Sequence, residues 1–258
     1  MGRTVSIHSF RGGTGKSNCT ANLAALMARE GLRVGVLDTD IQSPGIHVLF
    51  NVDVTSIEYC LNDYLWGRCA IQQAAADLTA SALLPGEDAS RAGRLFLVPS
   101  SIKTGEIARV LREGYDVAKL HDGIQEMTRD LNLDILLVDT HPGVNEETLL
   151  SIAISDLLVL IMRPDNQDFQ GTAVTLELAR KLDVKDLLLL LNKVPAGVDQ
   201  ALLRTQVEAT FEAPVVAMLP LNTEIAQNAS GGIFCLSHPE HPFSRRMERV
   251  CRKILGLE

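Results

Sequence analysis

Aromatic side chains are scarce in this 258-residue chain: one Trp, three Tyr and seven Phe. An aromatic-rich core is therefore excluded. Burial falls to aliphatic residues, which suit a parallel sheet covered by helices on both faces. An excess of positive charge is also missing. Lys and Arg number 24 against 32 Asp and Glu, a net charge of −8, which excludes a surface that coats nucleic acid generally. No stretch of about 18 apolar residues occurs, so no segment reads as a membrane span. Met1-Gly2-Arg3 leads at once into an apolar strand, with no charged and apolar leader ahead of it, so a cytoplasmic protein is expected. The cysteines Cys19, Cys60, Cys69, Cys235 and Cys251 are odd in number and include no Cys-x-x-Cys pair. They read as reduced thiols, mostly packing residues.

What is present is a repeated alternation of apolar runs and helical patterns. Candidate strands are Thr4–Ser9, Arg33–Leu37, Leu95–Val98, Asp134–Val138, Leu157–Ile161, Leu187–Leu191 and Val215–Leu219. Helical patterns cover Ser17–Glu30, Ile107–Leu131, Phe169–Leu182 and Ala201–Phe211. This rhythm predicts an α/β fold, a doubly wound, mostly parallel sheet flanked by helices. A single domain over residues 1–258 is expected, with irregular regions near 41–94 and 228–242. Pro85-Gly86-Glu87-Asp88 predicts an exposed loop at 85–94.

The densest signal is Phe10-Arg11-Gly12-Gly13-Thr14-Gly15-Lys16-Ser17, between the first strand and the first helix. Strand, glycine-rich turn, Lys-Ser and helix form the layout of a phosphate-binding P-loop. Glycines reach positive φ and let backbone N–H groups close on phosphate oxygens, and the helix start adds a positive dipole end. Lys16 supplies a point charge for outer phosphates, and the Ser17 hydroxyl can ligate Mg²⁺. Ligands in open α/β sheets sit outside the carboxyl ends of the strands, so the residues after each strand matter next. Asp38 and Asp40 follow the second strand, either as a pair facing the same crevice or as turn aspartates. Asp139 closes the apolar run Leu136-Leu137-Val138, a Walker B pattern that predicts contact with Mg²⁺ through water. Asn192 follows a later strand, and its amide can pair with an adenine edge. Pro195 stands where a guanine-binding Asn-Lys-x-Asp motif would have its aspartate, which favours ATP over GTP.

These motifs together resemble the deviant Walker A group of MinD/ParA ATPases, over nearly the whole chain. Phe10 replaces the usual leading glycine, and Arg11 stands at the position of the family's signature lysine. The resemblance implies that this first basic residue reaches across an ATP-bound sandwich homodimer to the partner's phosphates. It implies that Asp40 lies nearest the hydrolytic water, that Asp38 supports the Mg²⁺ network, and that Asn192 and Pro220-Leu221-Asn222 line the base pocket. Candidate residues are thus Arg11, Lys16 and Asp40 for catalysis, with Ser17, Asp38 and Asp139 for the metal. Gly12, Gly13, Thr14, Gly15, Lys16, Ser17, Asn192 and Pro220 are the candidates for ATP. The implied activity is slow ATP hydrolysis in a switch that positions an unidentified protein activator or cargo. The segment Arg163–Asp168 reads either as a partner contact or as a capping turn. His141 stands where the family commonly has proline, either near the γ-phosphate or as a loop histidine bonded to backbone.

Rival readings come from the same motifs. An iron–sulfur relative would need paired cysteines, which this chain lacks. A metabolic kinase or synthetase would need an acceptor pocket, for which 41–94 is the place. A nucleotide-binding module without productive hydrolysis is a third reading, because of Arg11. Cys235, His238 and His241 have a spacing that could hold Zn²⁺ or simply build a loop. The segment Pro242–Leu255 has an apolar face and a basic face; packing of the former on the core is expected, while the latter stays a candidate for membrane lipid or DNA.

Overall fold

The computed structural model describes residues 2–82, 93–228 and 230–257. Most of the predicted 85–94 loop lies outside the described residues. Strand β1 (Arg3–His8) leads through the P-loop into α1 (Lys16–Arg29), and β2 (Arg33–Asp38) follows. Two short helices, α2 (Ile46–Leu49) and α3 (Leu61–Leu65), precede β3 (Ala76–Asp77) and β4 (Arg94–Val98). Then come α4 (Thr104–Glu113), α5 (Val117–Asp130), β5 (Ile135–Asp139), α6 (Glu146–Ala153) and β6 (Leu157–Met162). The last third holds α7 (Asn166–Lys181), β7 (Asp186–Val194), α8 (Gln200–Phe211) and β8 (Val215–Pro220). It ends with α9 (Thr223–Gln227), α10 (Phe234–Ser237) and α11 (Pro242–Ile254). The strands form one sheet in the order β3-β4-β2-β5-β1-β6-β7-β8. Every pairing is parallel except the short β3 against β4.

Alternation along each strand builds a core on both faces. Val5, Ile7, Val34, Val36, Ile135 and Leu137 point to the side covered by α1, α10 and α11. Their neighbours Leu136 and Val138 face α3 and α5, and Leu158 and Leu160 face α7 and α8. A period of two on a sheet buried on both sides explains the continuous apolar runs seen in the sequence. Phe243, Met247, Val250, Cys251 and Ile254 of α11 are buried in the first of these cores, so the apolar face of this basic helix is spent on packing. Among the described residues, no helix is long and apolar enough to cross a membrane.

The structure corrects three boundaries. The single helix predicted over Ile107–Leu131 is two. Gly114 ends α4 at φ +66°, and Asp116 caps α5 by accepting the Ala118 N–H at 2.9 Å. Strand β7 runs on past Leu191 to Val194, with an irregular register where Lys193 takes φ +55°. The antiparallel β3 was not anticipated, since two residues carry no periodicity.

Phe10 is explained by packing. A Cβ built on Gly171 in α7 would lie 2.0 Å from the Phe10 ring and 2.7 Å from its Cβ. The ring therefore packs directly on the single glycine of α7, which braces the start of the P-loop. Gly171→Ala should lower stability by about 1–3 kcal/mol, because the Phe10 stem cannot swing clear; a denaturant midpoint equal to wild type would refute this.

Candidate functional site

Two strand ends meet at the carboxyl edge of the sheet. β2 ends on Asp38 and β5 on Asp139, and the two are register partners on adjacent strands. Both are buried. Lys16 supplies one compensating charge: its Nζ is 2.8 Å from Asp139 Oδ1, and the residue is only 6% exposed. Thr20, one helical turn on, places Oγ1 3.1 Å from the same carboxylate oxygen. Asp38 has less compensation. Its Oδ1 accepts the Asp40 backbone N–H at 3.0 Å, while its Oδ2 is buried without a hydrogen-bond partner. Burial, and next the charge of Asp139, push its carboxyl well above the usual carboxylate range, with Lys16 opposing.

The crevice is therefore short of one cation beside Asp38. The donor set, two buried carboxylates with the Ser17 hydroxyl at the start of α1, suits a small oxygen-seeking divalent ion. Among the described residues no three His, Cys, Asp or Glu side chains converge as a complete metal cage. Such an ion would share its coordination with a phosphate-bearing ligand and water, as Mg²⁺ commonly does.

The P-loop is shaped to receive that ligand. Gly13 and Gly15 take φ +75° and +93°. Helices α5 to α9 all begin at an Asp or Asn whose side chain caps the first turn. α1 begins at Gly15 with no side-chain cap, so the first N–H groups of α1 have no side-chain acceptor there. The loop is braced from β7. Asn192 Nδ2 donates to the Thr14 carbonyl at 2.7 Å, and Lys193 Nζ donates to the Gly13 carbonyl at 2.7 Å. The Asn192 Oδ1 accepts the Lys193 N–H at 2.9 Å. Asn192, expected against adenine, thus has both ends of its amide engaged within the chain and acts here as a clasp on the loop. Gly15 is required beside it, since a Cβ there would fall 2.5 Å from Asn192 Nδ2. Pro220 ends β8 next to this clasp, where the Leu221 N–H donates to the Val194 carbonyl at 2.8 Å.

Arg11 points away from the crevice toward α7. Its Nη1 is 3.4 Å from Asp165 Oδ1 and 3.3 Å from Asp168 Oδ1. Asp165 is the N-cap of α7, accepting the Gln167 and Asp168 N–H groups, and Arg163 pairs with both acids as well. Two histidines stand on the other side. His141 Nδ1 is 2.6 Å from Asp40 Oδ1. His8, at the end of β1, has Nδ1 2.7 Å from Thr140 Oγ1 and Nε2 buried without a partner. Burial, then the charge of Lys16, then His141, lower its pKa to about 3.

Sequence reasoning missed His8, Thr20, Thr140 and Lys193. Only Thr20 carried a signal, four residues after Lys16 on one helix face. The Cys235, His238, His241 spacing is occupied by packing and capping. Cys235 is buried and its thiol is pushed up to about 12 by burial. His238 stacks on Phe234, and His241 caps α11 by accepting the Phe243 N–H at 3.1 Å.

A neutral buried His8 makes the protein acid-sensitive. Its folded pKa lies below the free value of 6.5, so the folded state binds fewer protons. The stability it permits is full above 6.5 and is lost as pH falls toward 3. Relative to wild type, His8→Gln should gain up to about 1.4 kcal/mol per pH unit between pH 6 and 4. A stability difference that stays constant over that range would rule this out.

A family model for ParA, described as the NUBPL iron-transfer P-loop NTPase, matches residues 1–255. An uncharacterized ATP-binding protein of Methanocaldococcus jannaschii is 23% identical over 259 residues, spanning 100% of this chain and 89% of its own. An iron-sulfur cluster carrier protein of Deinococcus radiodurans is 25% identical over 266 residues, spanning 98% of this chain and 69% of its own. The solved septum site-determining protein MinD of Pyrococcus horikoshii, complexed with Mg-ADP, superposes with a TM-score of 0.81 at 20% identity, covering 100% of this chain and 97% of that one. With the family model spanning nearly the whole chain, a mostly parallel sheet and a P-loop after β1, the chain belongs to the ParA family of P-loop NTPases.

Proposed function

We propose that this protein is an ATP-binding, slowly ATP-hydrolysing switch that dimerises with ATP and so controls its hold on a partner or cargo protein. The observation that carries the reading is the crevice itself. Lys16, Asp38 and Asp139 converge beside a helix start that no side chain caps. A polyphosphate supplies the anions that the P-loop amides lack, and its outer oxygens compete with Asp139 for the Lys16 ammonium. Gly12, Gly13, Thr14, Gly15 and Lys16 bind the phosphates in this reading, and the segment at Pro220 borders the base. Ser17, Asp38 and Asp139 would hold Mg²⁺, which neutralises charge on the phosphates when bound. Asp40 orients the water that attacks the γ-phosphorus as the bond to the bridging oxygen breaks. Such a switch works by biasing populations, so the free energy of ATP binding is spent on dimerisation.

Arg11 is the residue proposed to act across the dimer. In the single chain it is held by Asp165 and Asp168. Contact with a second subunit therefore exchanges one set of anionic partners for another, which lowers the cost of moving a charge.

A cluster-carrier reading draws on the family description and on the Deinococcus relative. The thiols of this chain argue against it. Cys19, Cys60, Cys235 and Cys251 are buried, with pKa values raised by burial to about 12, 11, 12 and 12. Inert, scattered thiols do not present a cluster site.

Light scattering of Asp40→Ala in ADP·Mg²⁺ and then ATP·Mg²⁺ tests the switch. The expected result is a 28.1 kDa monomer in ADP and twice that mass in ATP. Asp40→Ala that stays monomeric in both while binding ATP would overturn the dimer mechanism. Arg11→Ala in the Asp40→Ala background should keep ATP binding and lose the dimer. A dimer that persists without Arg11 would remove its proposed role.

A further inference from the structure

The reading above places Asp40 beside the hydrolytic water, and a carboxylate does that work only if it is held still. Asp40 lies two residues beyond the end of β2, in a turn where nothing in the sheet fixes its side chain. Its support comes from two directions. The Ser43 backbone N–H donates to Asp40 Oδ1 at 3.1 Å. His141 approaches the same oxygen from the segment after β5, with Nδ1 at 2.6 Å. The segment that carries His141 is itself tied down. The Thr148 hydroxyl donates to the His141 carbonyl at 3.2 Å, and the Gly143 N–H donates to the Ser9 carbonyl at 3.2 Å. Both side chains are largely enclosed, 24% exposed for His141 and 12% for Asp40.

The consequence is an asymmetry between the two carboxylate oxygens. Oδ1 is engaged by a backbone N–H and by an imidazole, while among the described residues no hydrogen bond ties Oδ2. A proline in place of His141 has no side-chain donor, so this contact is a property of the present sequence. It also links the two loops that follow Asp38 and Asp139, so a shift in one is passed to the other through a short hydrogen bond.

We propose that His141 is a positioning residue for ATP hydrolysis: its Nδ1–H fixes Asp40 through Oδ1, so that Oδ2 is the oxygen presented to the attacking water. The proposal rests on the ATPase reading and deepens it. The role belongs to Nδ1, and that makes it separable from a general need for histidine. Asn at 141 carries its amide nitrogen near the place of Nδ1, whereas Gln carries it nearer the place of Nε2.

The experiment compares wild type with His141→Asn, His141→Gln and His141→Ala. It measures phosphate release for kcat and KM, affinity for the fluorescent probe mant-ATP, and thermal stability as a check on folding. His141→Gln and His141→Ala should lower kcat about 10- to 100-fold through misplacement of Asp40, with mant-ATP affinity unchanged. His141→Asn should recover much of the lost kcat. In an Asp40→Ala background, His141→Ala should cost nothing further, because both act through one carboxylate. Asn as slow as Ala, equal rates in all four proteins, or additive losses in the double variant would each overturn the positioning role while leaving the ATPase reading intact. Wild type that binds mant-ATP and releases no phosphate would overturn the ATPase reading, and the positioning role with it.

Discussion

The buried ion pair between Lys16 and Asp139 organises the rest of the site. Lys16 is the first residue of α1 and Asp139 the last of β5, so a single contact of 2.8 Å joins the P-loop to the centre of the sheet. Both ends are nearly inaccessible to water. In such a place removing either partner strands a charge, at a cost of about 3–5 kcal/mol. The pair is therefore a poor device for stability alone and a good one for registration, since it is satisfied only when α1, β1 and β5 stand in one arrangement.

The contact also leaves Asp38 exposed to the problem it solves for Asp139. Two carboxylates side by side on adjacent strands share one ammonium, and Asp38 retains an oxygen with no partner. Folding tolerates that because the sheet on both sides is dense with aliphatic packing. A ligand carrying phosphate and a divalent ion would relieve the imbalance at two points, offering Lys16 an anion and Asp38 a cation. The unsatisfied groups thus sit where the proposed chemistry needs them, a local departure from ideal packing of the kind that functional sites show.

Around this centre the loops are braced laterally and not from below. Asn192 and Lys193 hold the P-loop carbonyls from β7, Phe10 leans on Gly171 of α7, and His141 spans from the β5 loop to Asp40. Arg11 is stored on Asp165 and Asp168, both of which also bind Arg163, and Asp165 caps α7. Each brace comes from an element distant in sequence, so movement of α7 or β7 bears directly on the geometry of the phosphate loop.

Much of this was legible without coordinates. The P-loop, the strand-end aspartates and the alternation of aliphatic runs with helices are local patterns, set by glycine conformations, helix starts and the period of a strand. They determined the fold class and pointed to Lys16, Asp38, Asp40 and Asp139, which the fold gathers at the carboxyl edge of the sheet. The tertiary structure alone decided what each side chain touches. Asn192 faces a loop carbonyl, Arg11 faces two acids on α7, the imidazole of His141 meets Asp40, and His8 is sealed neutral against Thr140. These pairs are separated by 101 to 178 residues along the chain, so no local rule could join them. Hydrogen bonds depend on distances of tenths of an ångström, and those are settled only when the sheet order brings β2, β5, β1 and β7 to one edge.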